Sequence, residues 1–298
     1  MSKKRLPRYP VYVISKGRFE NCLTAKMFVK EGVPFTLVVE PQEYDDYAAA
    51  FDPKWVAILP FSNLGLGSVP ARNWVWEDAL GKGHERHWIL DDNIRAVYRR
   101  YKGKRIRCDS GIGLAIVEDF TDRYENIGIS GLQYKMFAPE TNKMAPFYLN
   151  NHVYSCLLIN NKLPYRWRGR YNEDTDLCLQ VLSGGWCTVL VNAFLIDKMR
   201  TMTMKGGNTD DLYKADGRLK MARSLERLWP GVVTTGRRYG RPQHYVKDAW
   251  KPFKTRLKLK RGINLAGRRT DEYGMKLVQV APEIKSKELN ELVYGLSR

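Results

Sequence analysis

An apolar run, Trp88-Ile89-Leu90, ends in two adjacent carboxylates and an amide: Asp91, Asp92 and Asn93. Oxygen donors set so closely suit a hard divalent cation, Mg2+ or Mn2+, which takes oxygen ligands at roughly 2.0 to 2.2 Å and keeps places for water and phosphate. The same three residues also suit a turn or a helix cap. A second acidic group, Glu173-Asp174 with Asp176 just beyond, opens segment 172–183, whose Leu177 and Val181 fall at helical spacing before Gly184-Gly185. Carboxylates there complement the positive end of the helix and are also of the type that does general acid–base work. Ser15-Lys16-Gly17-Arg18, Glu40 and Arg72-Asn73 fit a nucleotide, since arginine meets phosphate bidentately and a carboxylate accepts hydrogen bonds from ribose or base. Gly206-Gly207-Asn208 permits close backbone approach to a ligand and supplies amide donors.

These residues need elements to position them. Residues 11–14 form a short apolar run, 15–18 a turn, and 21–31 a stretch with Cys22, Ala25 and Val29 at helical spacing that Gly32 closes. Phe35 to Val39 reads as a second buried strand ending at Glu40, residues 44–51 as a short helix, and 58–60 as a third strand. A glycine-bearing loop then leads to a helix starting near Pro70 or Ala71, and the strand 88–90 follows. Strands alternating with helices predict an α/β domain with a largely parallel sheet. In such sheets ligands bind beyond the carboxyl ends of the strands, where Ser15–Arg18, Glu40, Arg72-Asn73 and Asp91–Asn93 all fall. Residues 126–159 read as strands and loops, and 188–196 as one more buried strand.

The 298 residues are long enough for one large domain or two ordinary ones. Fifty Lys and Arg against 32 Asp and Glu leave +18, a balance that attracts a polyanion. Residues 198–262 alone hold 18 basic and 5 acidic side chains, interleaved with Tyr213, Trp229, Tyr239, Tyr245, Trp250 and Phe253. Such a segment fits phosphates and stacked bases, although the aromatics fit a core equally well. Five cysteines without metal-ligand spacing read as packing residues of a reduced protein, and His84 and His87 as surface residues. No apolar stretch approaches the roughly 20 residues of a spanning helix, so a cytoplasmic protein with no membrane partner is expected. Residues 282–298 look like an exposed terminal helix.

The ordered set ISKGR, VVEP, ARNW, ILDDNI, NEDTDLCLQ, MKGGNTD and RRYGRPQHY resembles the TET-associated glycosyltransferases, over roughly residues 10–250. The resemblance implies a GT-A fold: a Rossmann-like mixed sheet flanked by helices, with a catalytic core at 8–197 and a basic extension at 198–298 that completes the site and contacts nucleic acid. Its DxD metal motif is matched as Asp91-x-Asn93, with Asn where the second Asp usually stands, so Asp91 and Asp92 become the firmer ligands. A late metal-bound histidine is matched by His244. The base of inverting members is matched by Asp174, with Glu173 and Asp176 as neighbours. The donor contacts implied are Ser15, Lys16, Arg18, Glu40, Arg72, Asn73, Asp91, Gly206 and Gly207. The family, encoded by phages, is associated with sugar transfer from a UDP-glucose or UDP-N-acetylglucosamine type of donor to 5-hydroxymethylpyrimidines in double-stranded DNA, downstream of TET/JBP-type hydroxylases. A glycosyltransferase acting on a protein, polysaccharide or small molecule would keep the donor site, and a non-catalytic nucleic-acid-binding module would keep only the basic face.

Overall fold

The computed structural model describes residues 5–141, 143–199, 214–238 and 240–263. The expected Gly206-Gly207 loop, Tyr213, Tyr239 and the terminal helix lie outside them. Four strands with a common direction come first: β1 (Val11–Ile14), β2 (Thr36–Val39), β3 (Val56–Ile58) and β4 (Arg86–Asp91), parallel in the order β3-β2-β1-β4. Between them run α1 (Leu23–Glu31), α2 (Tyr44–Ala50) and α3 (Val69–Gly81). The third strand thus precedes the expected 58–60, and Leu59 instead caps it by donating its N–H to Val39 O.

Beyond β4 the sheet turns mixed. It continues through β5 (Ile94–Tyr101), β6 (Lys104–Cys108), α4 (Ser110–Thr121), β7 (Ile127–Tyr134), β8 (Phe147–Leu149), β9 (Cys156–Asn160), α5 (Glu173–Ser183) and β10 (Cys187–Lys198). The order β4-β9-β7-β10-β5-β6 places β9 antiparallel between β4 and β7, whereas β7 and β10 run parallel. The expected largely parallel sheet is therefore a mixed one, flanked by helices as the GT-A resemblance implies. The basic stretch after Asn93 is the β5–β6 hairpin, which ends the sheet, and its exposed Lys104 and Arg107 discourage pairing with another chain.

Side-chain alternation divides the core into two layers. Val11 and Val13 of β1 pack with Phe28, Leu114 and Val117 on one face, and Tyr12 packs with Trp76, Leu177 and Val181 on the other. His87, expected at the surface, is fully buried and bonded through Nδ1 to Asn161 Oδ1 at 2.5 Å; burial pushes its pKa down to about 4. The five cysteines are free, and all but Cys108 are buried.

The C-terminal segment folds against α5. It comprises α6 (Lys214–Leu228, interrupted at Gly217) and the hairpin of β11 (Val233–Arg238) and β12 (Arg241–Val246). Leu225 and Val233 pack on Leu179 of α5, with Trp229, Trp250 and Phe253 around them. Those three aromatics therefore serve packing between elements first.

Candidate active site

The parallel strands bring their polar tips to one edge. Ile14 is in register with both Val38 and Asp91, so the carboxyl ends of β1, β2 and β4 lie together, with Ser15, Glu40 and Asp91 at their tips. Because β9 runs backwards beside β4, its first residues face the same edge, and Asp91 N donates to Ser155 O. The ends of β7 and β10 arrive there too, bringing Tyr134 and Lys198.

Asp91 is the hub of that edge. Arg72 Nη2 lies 2.9 Å from one carboxylate oxygen and Lys198 Nζ 2.7 Å from the other. Lys198 also donates to Ser155 Oγ at 2.6 Å and to Tyr134 Oη at 3.2 Å. Burial pushes the Asp91 carboxyl up, but the Lys198 and Arg72 charges override it and hold the group well below the usual carboxylate range. Lys198 moves up in turn, its burial outweighed by Asp91. Arg72 is 4% exposed, lies over the Trp167 ring at 4.7 Å, and leaves Nη1 buried without an acceptor.

Asp92 faces elsewhere. Its carboxylate accepts from Ser15 Oγ at 2.8 Å and from Arg18 Nη1 at 2.6 Å, which fastens the β1–α1 loop to the β4 turn. Burial pushes this carboxyl up, against the pull of Arg18. Gly17, at φ +63°, lends its N–H to Glu43, and Arg18 N donates to Tyr47 Oη, so the loop is held from both sides. Glu40 accepts from Gln42 Nε2 at 2.6 Å and Asn63 N at 3.0 Å, and Lys16 lies 3.2 Å away. Asn73, expected at the donor, has both ends of its amide on the Trp167 backbone, which makes it an anchor for that loop.

The acidic pair opens α5. Asn172 precedes it in the left-handed region, φ 55°, which Asn tolerates better than most residues. Glu173 accepts from Ser68 Oγ at 2.8 Å and lies 3.5 Å from Arg72 Nε; burial pushes it up, with Asp174 adding to the shift against Arg72. Asp174 lies 3.5 Å from His152 Nε2, and Thr175 Oγ1 is 3.1 Å from the same nitrogen. Burial again pushes Asp174 up, but His152 overrides it and leaves the group below its usual range. Asp176 points into the protein. Fully buried, it takes a two-pronged ion pair from Arg168, a bond from Gln180 at 2.7 Å and one from Trp229 Nε1 at 2.7 Å. It ties the C-terminal unit to α5 and has no lone pair to spare for an acceptor.

The expected metal set does not assemble. Both oxygens of Asp91 are held by cationic side chains and Asp92 is turned to Ser15 and Arg18, while the Asn93 amide oxygen, left without a hydrogen-bond partner, is buried. His244 on β12 is grouped instead with His152 and Asp174; burial, then His152, pushes it down to about 4. No group of three or more His, Cys, Asp or Glu able to hold a metal occurs among the described residues. A dication at Asp91 beside the Lys198 ammonium would meet repulsion on the order of several kcal/mol even at an effective dielectric constant of about 20.

Lys198, His152, Tyr134 and Ser155 join the site without having been singled out in the sequence. Each is isolated from any motif, and only the strand order brings it in.

Among the described residues no helix is long and apolar enough to cross a membrane. No curated protein matches the chain. A crystal structure from Desulfovibrio desulfuricans G20, described as a nucleotide-diphospho-sugar transferase, aligns over 59% of this chain and 77% of its own, at 8% identity and a TM-score of 0.31. The model of one family, described as TET-associated glycosyltransferase, matches residues 9–207, more than half of the chain. With the acidic pair, the Arg72–Asp91 cluster and the mixed sheet lying inside that span, the chain belongs to the TET-associated glycosyltransferases.

Proposed function

We propose that this glycosyltransferase moves a sugar from a nucleoside diphosphate donor, of the UDP-glucose or UDP-N-acetylglucosamine type, to the hydroxyl of 5-hydroxymethylcytosine or a related hydroxymethylpyrimidine in duplex DNA. The observation that carries this reading is the placing of the basic C-terminal unit against the acidic pair. Trp250 of that unit stacks on His152, at 6.0 Å between centroids and 18° between planes, and His152 faces Asp174. A polyanion held by the exposed Arg241, Lys247, Lys251 and Lys254 would thus lie beside the base.

In this reading residues 8–197 form the donor-binding core and 198–298 the extension that meets DNA. The nucleotide lies along the carboxyl edge, between the Ser15–Arg18 loop, Glu40 and Arg72. Asp174 takes the proton of the hydroxymethyl group as its oxygen attacks the anomeric carbon, the bond to the phosphate oxygen breaks, and the nucleoside diphosphate leaves with inversion. Asp174 meets the first need of a base, since it stays ionised and open to a proton, although the neighbouring His152 that holds its pKa down also lowers its basicity. Glu173, held by Ser68 and Arg72, lines the same edge. A TET/JBP-type hydroxylase working upstream, in the cytoplasm of a phage host, would supply the hydroxymethyl acceptor.

The test is transfer of radiolabelled sugar from a panel of nucleotide sugars into acid-precipitable DNA. Label entering hydroxymethylcytosine duplex but not unmodified duplex supports the proposal. Turnover of a donor with a protein, polysaccharide or small-molecule acceptor, and none with DNA, would move the acceptor away from nucleic acid.

A further inference from the structure

We propose that the Lys198 ammonium, held on Asp91 beside Arg72, does the work of the divalent cation: it binds the donor diphosphate directly and stabilises the departing nucleoside diphosphate without metal. The proposal rests on the glycosyl-transfer reading of the same site. It starts from how Lys198 is delivered. β10 runs parallel to β7, with Ile196 opposite Tyr134, and antiparallel to β5, with Lys198 opposite Ile94, so the strand ends with its last side chain over Asp91. The ammonium is fixed there by Asp91 Oδ2 at 2.7 Å, Ser155 Oγ at 2.6 Å and Tyr134 Oη at 3.2 Å.

A lysine has three donors, and all three are engaged in this state. The long bond to Tyr134 is the exchangeable one. Tyr134 and Ser155 are also bonded to each other at 2.6 Å, so Lys198 can turn one N–H to a phosphate oxygen while the tyrosine hydroxyl keeps a partner. Asp91 then orients the ammonium much as a carboxylate orients a metal. Arg72 cannot withdraw to make room for a dication, because it is buried over Trp167 and braced by Ser68 and Glu173.

In glycosyl transfer the leaving oxygen gains negative charge as its bond to the anomeric carbon breaks. A preorganised ammonium at that position stabilises the developing charge without any solvent rearrangement. The electron pair stays on the diphosphate, and the ammonium need not give up its proton.

The experiment is calorimetry of the full-length protein with UDP, CDP, dTDP, ADP and GDP, each in chelator and in millimolar Mn2+ or Mg2+. At least one should bind in chelator, with a Kd that changes less than about threefold when metal is added. Lys198→Met should weaken that binding by about tenfold or more, and Lys198→Arg should restore part of it. Wild-type binding that appears only with metal would overturn the proposal and leave the donor site standing. Metal-independent binding indifferent to Lys198→Met would overturn the role of Lys198. No nucleotide bound in either condition would overturn the donor-site reading and this proposal with it. Should Lys198→Met fold poorly by thermal melt, Lys198→Gln carries the same comparison, with the same loss expected.

Discussion

Asp174 and Asp176 stand two positions apart on one helix, and their surroundings give them different work. Asp174→Asn removes a carboxylate that faces His152 and keeps the shape of the site; we expect kcat to fall about 10²- to 10⁴-fold with donor KM little changed, measured by initial rates at saturating DNA. The depressed Asp174 pKa means the base stays ionised across the neutral range, so loss of activity on the acid side should set in only near or below pH 4. An acid limb near pH 6.5 would assign the base to a histidine instead. Asp176→Ala strips acceptors from Arg168, Gln180 and Trp229 at once and should cost about 3 kcal/mol of stability by denaturant unfolding. Asp91 has its own pH signature. Its folded pKa lies below the unfolded value of about 3.9, so its contribution is complete above that pH and is lost as pH falls toward the folded pKa. The gap in melting temperature between wild type and Asp91→Asn should therefore be widest near neutral pH and narrow below about pH 4.

At the scale of elements, the close approach of β7 and β9 sets the site. A Cβ on Gly131 would lie 2.1 Å from Cys156 O and 2.6 Å from Val153 Cγ1, contacts that only displacement of β9 relieves. Gly131→Ala should cost about 1 to 3 kcal/mol or more and, by moving Ser155, weaken nucleotide binding as well; thermal melts and calorimetry on the same sample check both. These elements also explain what the sequence made legible. Asp91 and Glu40 stand at the ends of apolar runs, and Glu173-Asp174 open a stretch of clear helical period, so local pattern tells where they sit, whereas only the family resemblance singles out Asp174. Lys198, Tyr134 and Ser155 were illegible because β9 runs antiparallel between two parallel strands, a pairing that no local period records. Asp176 looked like a neighbour of the base because its partners, Arg168 and Trp229, come from other segments. His87 looked like surface for the same reason, since its partner Asn161 is 74 positions away.

For the whole molecule, charge and architecture act together. The expected surplus of positive charge after residue 197 is carried in the described part by side chains that face solvent from α6, the β11–β12 hairpin and the segment beyond, while their apolar neighbours pack on α5. Duplex binding should therefore be steeply salt-dependent and largely indifferent to sequence. Replacing Arg241, Lys247, Lys251 and Lys254 with Gln should lower the slope of log Kd against log salt by up to about 3 to 4, read by fluorescence anisotropy from low to moderate salt. A slope unchanged in that variant would move the DNA contact to another face.

The most direct measurement is intact-nucleoside mass spectrometry of hydroxymethylcytosine DNA after incubation with the full-length protein and a panel of nucleotide sugars, beside Asp174→Asn. A nucleoside heavier by one hexose or N-acetylhexosamine with the wild type, and nearly absent with the variant, is the expected result. An unchanged nucleoside with every donor, from protein that binds both nucleotide and duplex, would contradict sugar transfer to the hydroxymethylated base.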